Sequence, residues 1–456
     1  MSLVPLPQLL SLAPELVEHI IKQISEKDDL LNLRLVCKTL ERFAAKELFK
    51  EVFVTPSEEH MKAWNNISEN DTIRQLPRHA IIQTRPDIDN DYFFRHDGLE
   101  VGSEFHAVIA ALVIFPNLDS LEIAFTPQCV GRESVQDAME EPDDRENTLR
   151  IIFQAVADRA ATETNRTIHK LTIENLQNCP IPDFTSSDLF LDTMKQINEL
   201  HVSITREDNQ EAPDNDYEAI ELRTFPPHFA ASWLRPVSAH LRSLSIYHRD
   251  NWGPLPGYWS FSELSFPKLE ALALGYYTLA HDDDVAWILA MPSLRKLILQ
   301  DCMIVSWIRL HPERSAEWGG VQTGDWVDFP YEAVEWEEDL DIEYWSFRYN
   351  GTWGQVFEKL SEMPLLVDFR FDYVEGADGR YGVGESERES CGRRVSEKRY
   401  VCYDDGTIPW WKAFSDGEME SWVKGGFPRN VHKEELEADQ ASLDRLIDGL
   451  GLKGEE

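Results

Sequence analysis

A short apolar phrase recurs along the chain and constrains its fold more than any other sequence feature. The phrase is a leucine-like residue, two other residues, a second leucine-like residue, one other residue and a third leucine-like residue. Its copies are Leu118/Leu121/Ile123, Ile168/Leu171/Ile173, Ile197/Leu200/Val202, Leu241/Leu244/Ile246, Leu269/Leu272/Leu274, Leu294/Leu297/Leu299 and Leu366/Phe369/Phe371. The second and third positions are two residues apart, which places both side chains on one face of a β-strand. The first positions of successive copies are 25 to 72 residues apart. The shortest spacings are typical of stacked repeats, that is, of a solenoid, and the longer ones leave room for inserted loops.

Helical segments precede most of these predicted strands. The candidates are Glu104 to Ile114, Leu149 to Ala161, Asp188 to Lys195, His281 to Ala290 and Gly354 to Met363. Alternation of helix and strand predicts parallel strands with helices on the outer side. Proline often stands between the two, as in Phe115-Pro116-Asn117, because proline breaks the preceding helix. A doubly wound α/β domain is the alternative, and it is disfavoured because no glycine-rich phosphate loop follows any of the strands.

The first 54 residues have a different pattern, which predicts three short helices. The first helix runs from about Pro14 to Ser25, with apolar residues at helical spacing and Glu15 in its first turn. The second starts near Lys27, and the third carries an apolar stripe that ends before the extended segment at residues 51–54. Three helices of this size bury too little apolar surface to be stable alone, so a partner surface is expected.

The run from Leu12 to Phe53, LAPELVEHIIKQISEKDDLLNLRLVCKTLERFAAKELFKEVF, resembles an F-box. The resemblance rests on P-E-L, D-L-L and L-V-C-K in that order; Ala13 and Leu40 depart from the usual pattern, which has proline and often tryptophan there. It implies docking on a Skp-type adaptor and, through it, attachment to a cullin-RING ubiquitin ligase. The adaptor-binding residues implied by position are Leu12, Pro14, Glu15, Leu16, Ile20, Leu33, Val36, Cys37 and Lys38.

The rest of the chain is similar in layout to the divergent leucine-rich-repeat-like receptor regions that follow the F-box in many fungal F-box proteins. The expected fold is therefore a three-helix F-box followed by an irregular leucine-rich-repeat-like solenoid with parallel strands and outer helices. The predicted division is an F-box at 1–54, a linker helix at 55–75, a receptor domain at 76–410 with a mobile loop at 375–398, and a C-terminal cap with an amphipathic helix at 411–456.

Charge is distributed unevenly over the 456 residues. The formal net charge is -38, yet residues 1–54 hold seven basic and eight acidic side chains. So acidic a chain disfavours nucleic acid and anionic membrane as principal partners, because phosphate contacts come mainly from lysine and arginine. No run of 18 apolar residues and no secretory signal pattern is visible. The expected location is the cytosol or the nucleus.

An insertion at residues 303–353 is rich in tryptophan and acid. From His311 to Trp345 there are eleven acidic residues against the single base Arg314. Aromatic side chains amid acidic charge predict a surface for a basic target protein. The target-binding candidates are Trp318, Trp326, Trp336, Glu337, Glu338 and Asp339. The alternative is that these tryptophans only pack the insertion onto the solenoid.

Patterns that signal catalysis or bound metal are lacking. The sequence has no G-x-S-x-G, no H-E-x-x-H and no histidine cluster at metal-binding spacing, and its six cysteines include no C-x-x-C pair. No metal and no cofactor is expected. The leading hypothesis is a non-catalytic substrate receptor of an SCF-type ubiquitin ligase. The alternatives are a protein-interaction scaffold with no role in ubiquitin transfer, and an enzyme of unrecognised type.

Overall fold

The computed structural model divides the chain into two compact units. The first comprises Met1–Asn90, His96–Phe125 and Asp144–Leu171, and the second comprises the remainder. The residues that the structure describes are 11–85, 102–127, 129–131, 140–206, 220–255, 259–310, 312, 323–329, 345–372, 391–395, 397–404 and 435–453.

The first unit begins with three helices and continues as an alternation of strands and helices. In chain order the elements are α1 (Pro14–Ile21), α2 (Lys27–Arg34), α3 (Lys38–Leu48), β1 (Glu51–Val54), α4 (Glu58–Glu69), β2 (His79–Gln83), α5 (Ser103–Ala110), β3 (Ser120–Ala124) and α6 (Pro142–Ala160). Short 3-10 turns at Ile73–Gln75 and Ala111–Ile114 connect them. The three N-terminal helices agree with the sequence prediction.

Strands β1, β2 and β3 form a parallel sheet in which apolar residues are aligned. Val52 of β1 pairs with Ala80 of β2, which pairs with Leu121 of β3, and all three are buried. The sheet packs beside Trp64 of α4, whose ring meets Phe115 edge to face at 4.9 Å. Since Trp64 is fully buried, the segment after β1 is a packed helix.

Arg159 of α6 holds the loops of the first unit together. This buried guanidinium donates hydrogen bonds to the main-chain carbonyl oxygens of Leu112, Phe115, Leu118 and Arg166. Burial lowers the pKa of Arg159 to about 10. The four hydrogen bonds offset the free-energy cost of burying the charge, so the side chain of Arg159 joins the loops that carry these four carbonyl groups.

Among the described residues, the second unit contains the strands that follow α6. Its elements are β4 (Lys170–Gln177, which contains the boundary between the units), α7 (Pro182–Thr185), α8 (Asp188–Met194), β5 (Glu199–Thr205), α9 (Glu221–His228), α10 (Arg235–Ser238), β6 (Ser243–Trp252), β7 (Ala271–Leu279), α11 (Ala286–Leu289), β8 (Lys296–Gln300), β9 (Met303–Leu310), β10 (Trp326–Asp328), β11 (Trp345–Tyr349), α12 (Trp353–Ser361), β12 (Asp368–Asp372), β13 (Tyr400–Asp404) and α13 (Leu436–Lys453). A π-helical segment, Phe229–Leu234, joins α9 to α10.

The apolar phrases form one continuous register across the parallel part of this unit. Strands β5, β6, β7, β8 and β12 lie side by side, and the second position of each phrase pairs with the second position of the next. The aligned and buried residues are Leu200, Leu244, Leu272, Leu297 and Phe369. The prediction of a mixed α/β fold with parallel strands is confirmed.

Two further features recur along the strands. At the start of successive strands one main-chain carbonyl accepts hydrogen bonds from two consecutive N–H groups of the next strand. The acceptors are Lys50, Arg78, Asp119, Asn198, Arg242, Glu270 and Arg295. Asn175, Tyr276 and Asp301 have positive φ angles of 57, 61 and 51°. Each lies two residues after the last apolar position of its phrase, so these strands repeat an unusual backbone step as well as a side-chain pattern.

Part of the predicted insertion forms an antiparallel sheet. Strand β11 pairs antiparallel with β9 and with β10, and β9 is buried along its whole length. These strands are not predicted from the sequence, because their residues do not follow the apolar phrase.

The C-terminal helix α13 docks within the second unit. Its apolar face, Leu443, Leu446 and Leu450, is buried. The buried carboxylate of Asp439 accepts hydrogen bonds from the N–H of Gly354 at 2.7 Å and from the hydroxyl of Tyr400. Among the helices that the structure describes, none is both long and apolar enough to span a membrane.

Candidate functional site

The first three helices enclose a small apolar core. Its buried members come from α1, α2 and α3 and are Val17, Ile21, Leu30, Leu40 and Ala44. Partly buried side chains complete it: Leu12, Ile24, Leu33, Cys37, Phe43 and Leu48. The core is thus closed by residues of this segment alone, and other apolar side chains of the same helices remain outside it.

Helix starts in this segment depend on backbone conformation and charge. Pro14 occupies the first position of α1, where its missing N–H is harmless and its fixed φ suits the helix. Asp28 and Asp29 occupy the first turn of α2, where carboxylates are favourable beside the helix dipole. No side-chain cap bonds to the start of either helix.

Five large apolar side chains of this segment are exposed, and we call them the exposed apolar set: Leu16, Ile20, Leu31, Leu35 and Val36. Leu16 and Ile20 are four residues apart on α1, and Leu31 and Leu35 have the same spacing along α2 and its C-terminal end, so each pair lies on one helix face. Leu35 is 85% exposed and Val36 is 66% exposed. Among the described residues, half of the ten exposed large hydrophobic side chains belong to this set.

A salt-bridged carboxylate links α1 to α3 beside this set. Glu18 accepts a hydrogen bond from Lys46 Nζ at 2.5 Å and lies 3.3 Å from Lys22 Nζ. The Lys46 hydrogen bond, followed by the Lys22 bond, holds the pKa of Glu18 below its ordinary value. Both lysines are about half exposed, so the stabilisation from these pairs is small.

The predicted adaptor-binding residues divide into two groups. Exposed members are Pro14, Glu15, Leu16, Ile20, Val36 and Lys38, whereas Leu12, Leu33 and Cys37 are partly buried against the helical core. Leu40, where the F-box pattern often has tryptophan, is a core residue.

Leu31 and Leu35 are exposed residues that the sequence analysis did not select. They form a second apolar stripe on the second helix, opposite Leu30 and Leu33. The available signal was that both faces of this short helix are apolar, because one helix face cannot pack into the same core as the opposite face.

The predicted target-binding residues are described only in part. Trp326 is 8% exposed; its indole N–H donates to the carbonyl oxygen of Ala280 at 2.9 Å, and its ring stacks on Tyr349 at 5.8 Å. Trp326 therefore packs the antiparallel sheet onto the loop after β7. The other five candidates, Trp318, Trp336, Glu337, Glu338 and Asp339, lie outside the described residues.

A comparison with protein families gives the N-terminal segment its identity. Residues 9–51 match the family model of the F-box domain. The chain carries an F-box. The matched range contains the three-helix core and the whole exposed apolar set, so the exposed side chains belong to the F-box itself. No curated protein matches the chain.

F-box domains in general belong to non-catalytic subunits that bind a Skp-type adaptor and recruit substrates to SCF-type ubiquitin ligases. The surface seen here suits such a role, because exposed aliphatic side chains lower the free energy of association when a partner covers them. Within the residues that the structure describes, no cluster of histidine, cysteine and acidic side chains has metal-binding geometry.

Proposed function

We propose that the chain is a substrate-recognition subunit of an SCF-type ubiquitin ligase, in which the F-box binds a Skp-type adaptor and the remainder binds a protein target. The observation that carries the proposal is the exposed apolar set on a matched F-box domain whose own core is already closed. Such a surface has no packing role within the three helices.

The F-box is joined to the first strand by a short, hydrogen-bonded connection, which supports a role in positioning the rest of the chain. Lys50 stands between α3 and β1, and its carbonyl oxygen accepts the N–H groups of Arg78 at 2.7 Å and His79 at 3.1 Å. The adaptor-bound F-box would then be held in a fixed orientation to the β1–β3 sheet of the first unit. The contribution to ubiquitin transfer is proximity and not chemistry by this chain.

For the receptor part we propose leucine-rich-repeat-like architecture, with the domain division at 54, 75 and 410 given above. Its support is threefold: the aligned apolar phrases, the recurring carbonyl that accepts two N–H groups, and the recurring positive φ. We further propose that the protein acts in the cytosol or the nucleus.

For the target we propose a basic protein that binds through the acidic tryptophan-rich insertion. The support is charge complementarity, since residues 311–345 of this insertion contain eleven acids and one arginine. Attraction between exposed charges weakens as salt screens them, so target binding is expected to fall with rising ionic strength. Binding that is the same at low and high salt would contradict this part of the proposal.

Adaptor binding tests the central proposal. The full chain is expected to co-purify with a Skp-type adaptor, and Leu16→Asp or Val36→Asp is expected to abolish the interaction because each places a charge in an apolar interface. Ile220→Asp is the matched control, since Ile220 is 59% exposed in the second unit and lies outside the F-box.

The outcome separates a ligase subunit from a scaffold. Failure of the wild-type chain to bind any Skp-type adaptor would overturn the proposal and favour the interaction scaffold. If binding is found, capture of targets by the Val36→Asp chain, which would not deliver them for ubiquitination, identifies the target protein.

A further inference from the structure

A cavity of about 410 Å³ lies in the second unit between β12 and the C-terminal part of α13. Its volume is within the range of small-molecule sites. The apolar lining residues are Val367 and Phe369 at β12 together with Ile447 and Leu450 of α13. The other lining residues are Arg393, Asp448 and Gly451. Val367 and Ile447 are partly exposed, whereas Phe369 and Leu450 are buried, so the cavity is a half-open cleft with a partly apolar lining and one positive and one negative side chain.

The positive side of the cavity lies in a local concentration of cations. Arg393, 45% exposed, has Nη2 at 3.3 Å from Asp368 Oδ1. The same carboxylate lies 3.2 Å from Arg370 Nε and 3.6 Å from Lys296 Nζ. One carboxylate is shared by three cations, in a chain whose net charge is -38. This side favours a ligand carboxylate, which guanidinium binds well through paired hydrogen bonds.

The negative side chain of the cavity belongs to Asp448, near the C-terminal end of α13. Asp448 lies five residues before the end of α13 at Lys453. Carbonyl groups in the last turn of a helix lack intrahelical partners, and the helix dipole places partial negative charge there. The full charge of Asp448 adds to it. This side favours a ligand ammonium group.

Gly451 near the end of α13 lines the cavity and has open space beside it. A glycine inside a helix destabilises it by about 1 kcal/mol relative to alanine. A Cβ atom built on Gly451 would have no neighbour within 4 Å, and the same is true of Gly449. Gly451 lines the cavity whereas Gly449 does not, so a side chain at position 451 has open space to enter.

We propose that this cavity binds a free α-amino acid with an apolar side chain. The ligand carboxylate pairs with Arg393, its ammonium group pairs with Asp448, and its side chain lies against Val367 and Ile447. A free amino acid presents both charges on one carbon beside an apolar group. An N-terminal residue of a polypeptide lacks the carboxylate, and a C-terminal residue lacks the ammonium. The proposal is independent of adaptor binding by the F-box.

Calorimetric titration of the full chain with L-leucine tests the proposal. One leucine is expected to bind per chain, and N-acetyl-L-leucine and L-leucinamide are each expected to bind at least tenfold more weakly, because each lacks one charge. Absence of leucine binding overturns the proposal, and so does equal affinity for leucine and either derivative.

Two charge variants test the assigned roles. Arg393→Gln is expected to weaken leucine binding about tenfold and to remove the preference for leucine over leucinamide; Asp448→Asn is expected to remove the preference over N-acetyl-leucine. A merely structural role would not change these preferences selectively. The matched controls, Arg394→Gln and Asp444→Asn, alter neighbouring charges outside the cavity lining and are expected to leave binding unchanged.

A steric variant tests the location. Gly451→Leu is expected to fill part of the cavity and abolish leucine binding, whereas Gly449→Leu, which adds the same side chain to the same helix, is expected to bind as the wild type does. Leucine binding that survives Gly451→Leu overturns the assignment of the site.

Discussion

Leucine has opposite environments in the F-box and in the parallel strands of the second unit. Leu35 at the end of α2 is 85% exposed, whereas Leu297 on β8 is 0% exposed between two neighbouring phrases. Both stand in short apolar runs of the sequence. The difference teaches that the strands satisfy their apolar residues within the chain, while the F-box has more apolar faces than its three helices are able to bury.

The largest effect is expected for a strand leucine. Leu297→Ala should lower the free energy of unfolding by about 2–5 kcal/mol, because it leaves a cavity among aligned phrases. Leu35→Ala should change the free energy of unfolding by less than about 0.5 kcal/mol, because the side chain of Leu35 is already exposed in the folded protein. Urea unfolding of both variants measures the contrast; equal effects would break the comparison.

The next effect concerns a buried carboxylate in the second unit. Burial raises the pKa of Asp284 to about 6, against hydrogen bonds from the N–H groups of Ala280 and His281 that lower it. The folded state therefore binds this proton more tightly than the unfolded state, so the associated stability is present below pH 3.8 and is lost as pH rises through 6. The loss is at most about 3 kcal/mol.

Asp284→Asn separates this contribution from other titrations. The amide has the same shape and does not ionise, so the variant should lose less stability than the wild type between pH 5 and pH 7, within the window set by the folded pKa of about 6. Hydrogen exchange of the β7–α11 loop at both pH values provides the measurement. Identical pH profiles for the two chains would contradict the assignment.

A smaller effect is expected for the exposed leucines that sequence alone did not select. Leu31→Ala and Leu35→Ala should each weaken adaptor affinity about tenfold, because truncation removes apolar area that the partner covers. Folding of the F-box should be unaffected. Calorimetry with a Skp-type adaptor measures the affinity, and unchanged affinity in both variants would restrict the interface to the residues predicted from the sequence.

The smallest effect concerns the salt bridge beside the exposed apolar set. Lys46 and Lys22 lower the pKa of Glu18, so this carboxylate stabilises the fold above its unfolded pKa and loses that contribution as pH falls through the folded value. The direction is opposite to that of Asp284. Lys46→Met should reduce the acid dependence of F-box unfolding only slightly, since the pair is solvated. A large change would show that the bridge matters more than its exposure indicates.

Sequence predicted the strands that carry the apolar phrase better than it predicted the helix bounds, because the residues of these strands carry their own signal. In each phrase the apolar positions that alternate on the strand are also the buried ones, so a local pattern determines the result. The predicted helix at His281 to Ala290 is shorter in the structure, where α11 starts at Ala286. Asp284 explains the difference, since its carboxylate accepts the N–H groups of Ala280 and His281 and holds the preceding residues in a turn.

The candidate site was predictable in kind and not in detail. The order of motifs identified the F-box, and the family model confirms it at residues 9–51. Exposure was not predictable, because Leu16 and Val17 are adjacent apolar residues, and only packing of the three helices decides that Val17 is buried and Leu16 is not. Burial of Trp326 likewise depends on Ala280, which is 46 residues away in the chain.

The carbonyl oxygen of Lys50 has a mechanical consequence. This oxygen accepts hydrogen bonds from two N–H groups at the start of β2. The two hydrogen bonds hold the last F-box helix in a fixed orientation to the first strand. Rotation of the F-box about this point would require both hydrogen bonds to break together. Inserting two glycines between Phe49 and Lys50 would separate the last F-box helix from this hydrogen-bonded carbonyl, so the fixed angle between the F-box and the first strand is expected to be lost.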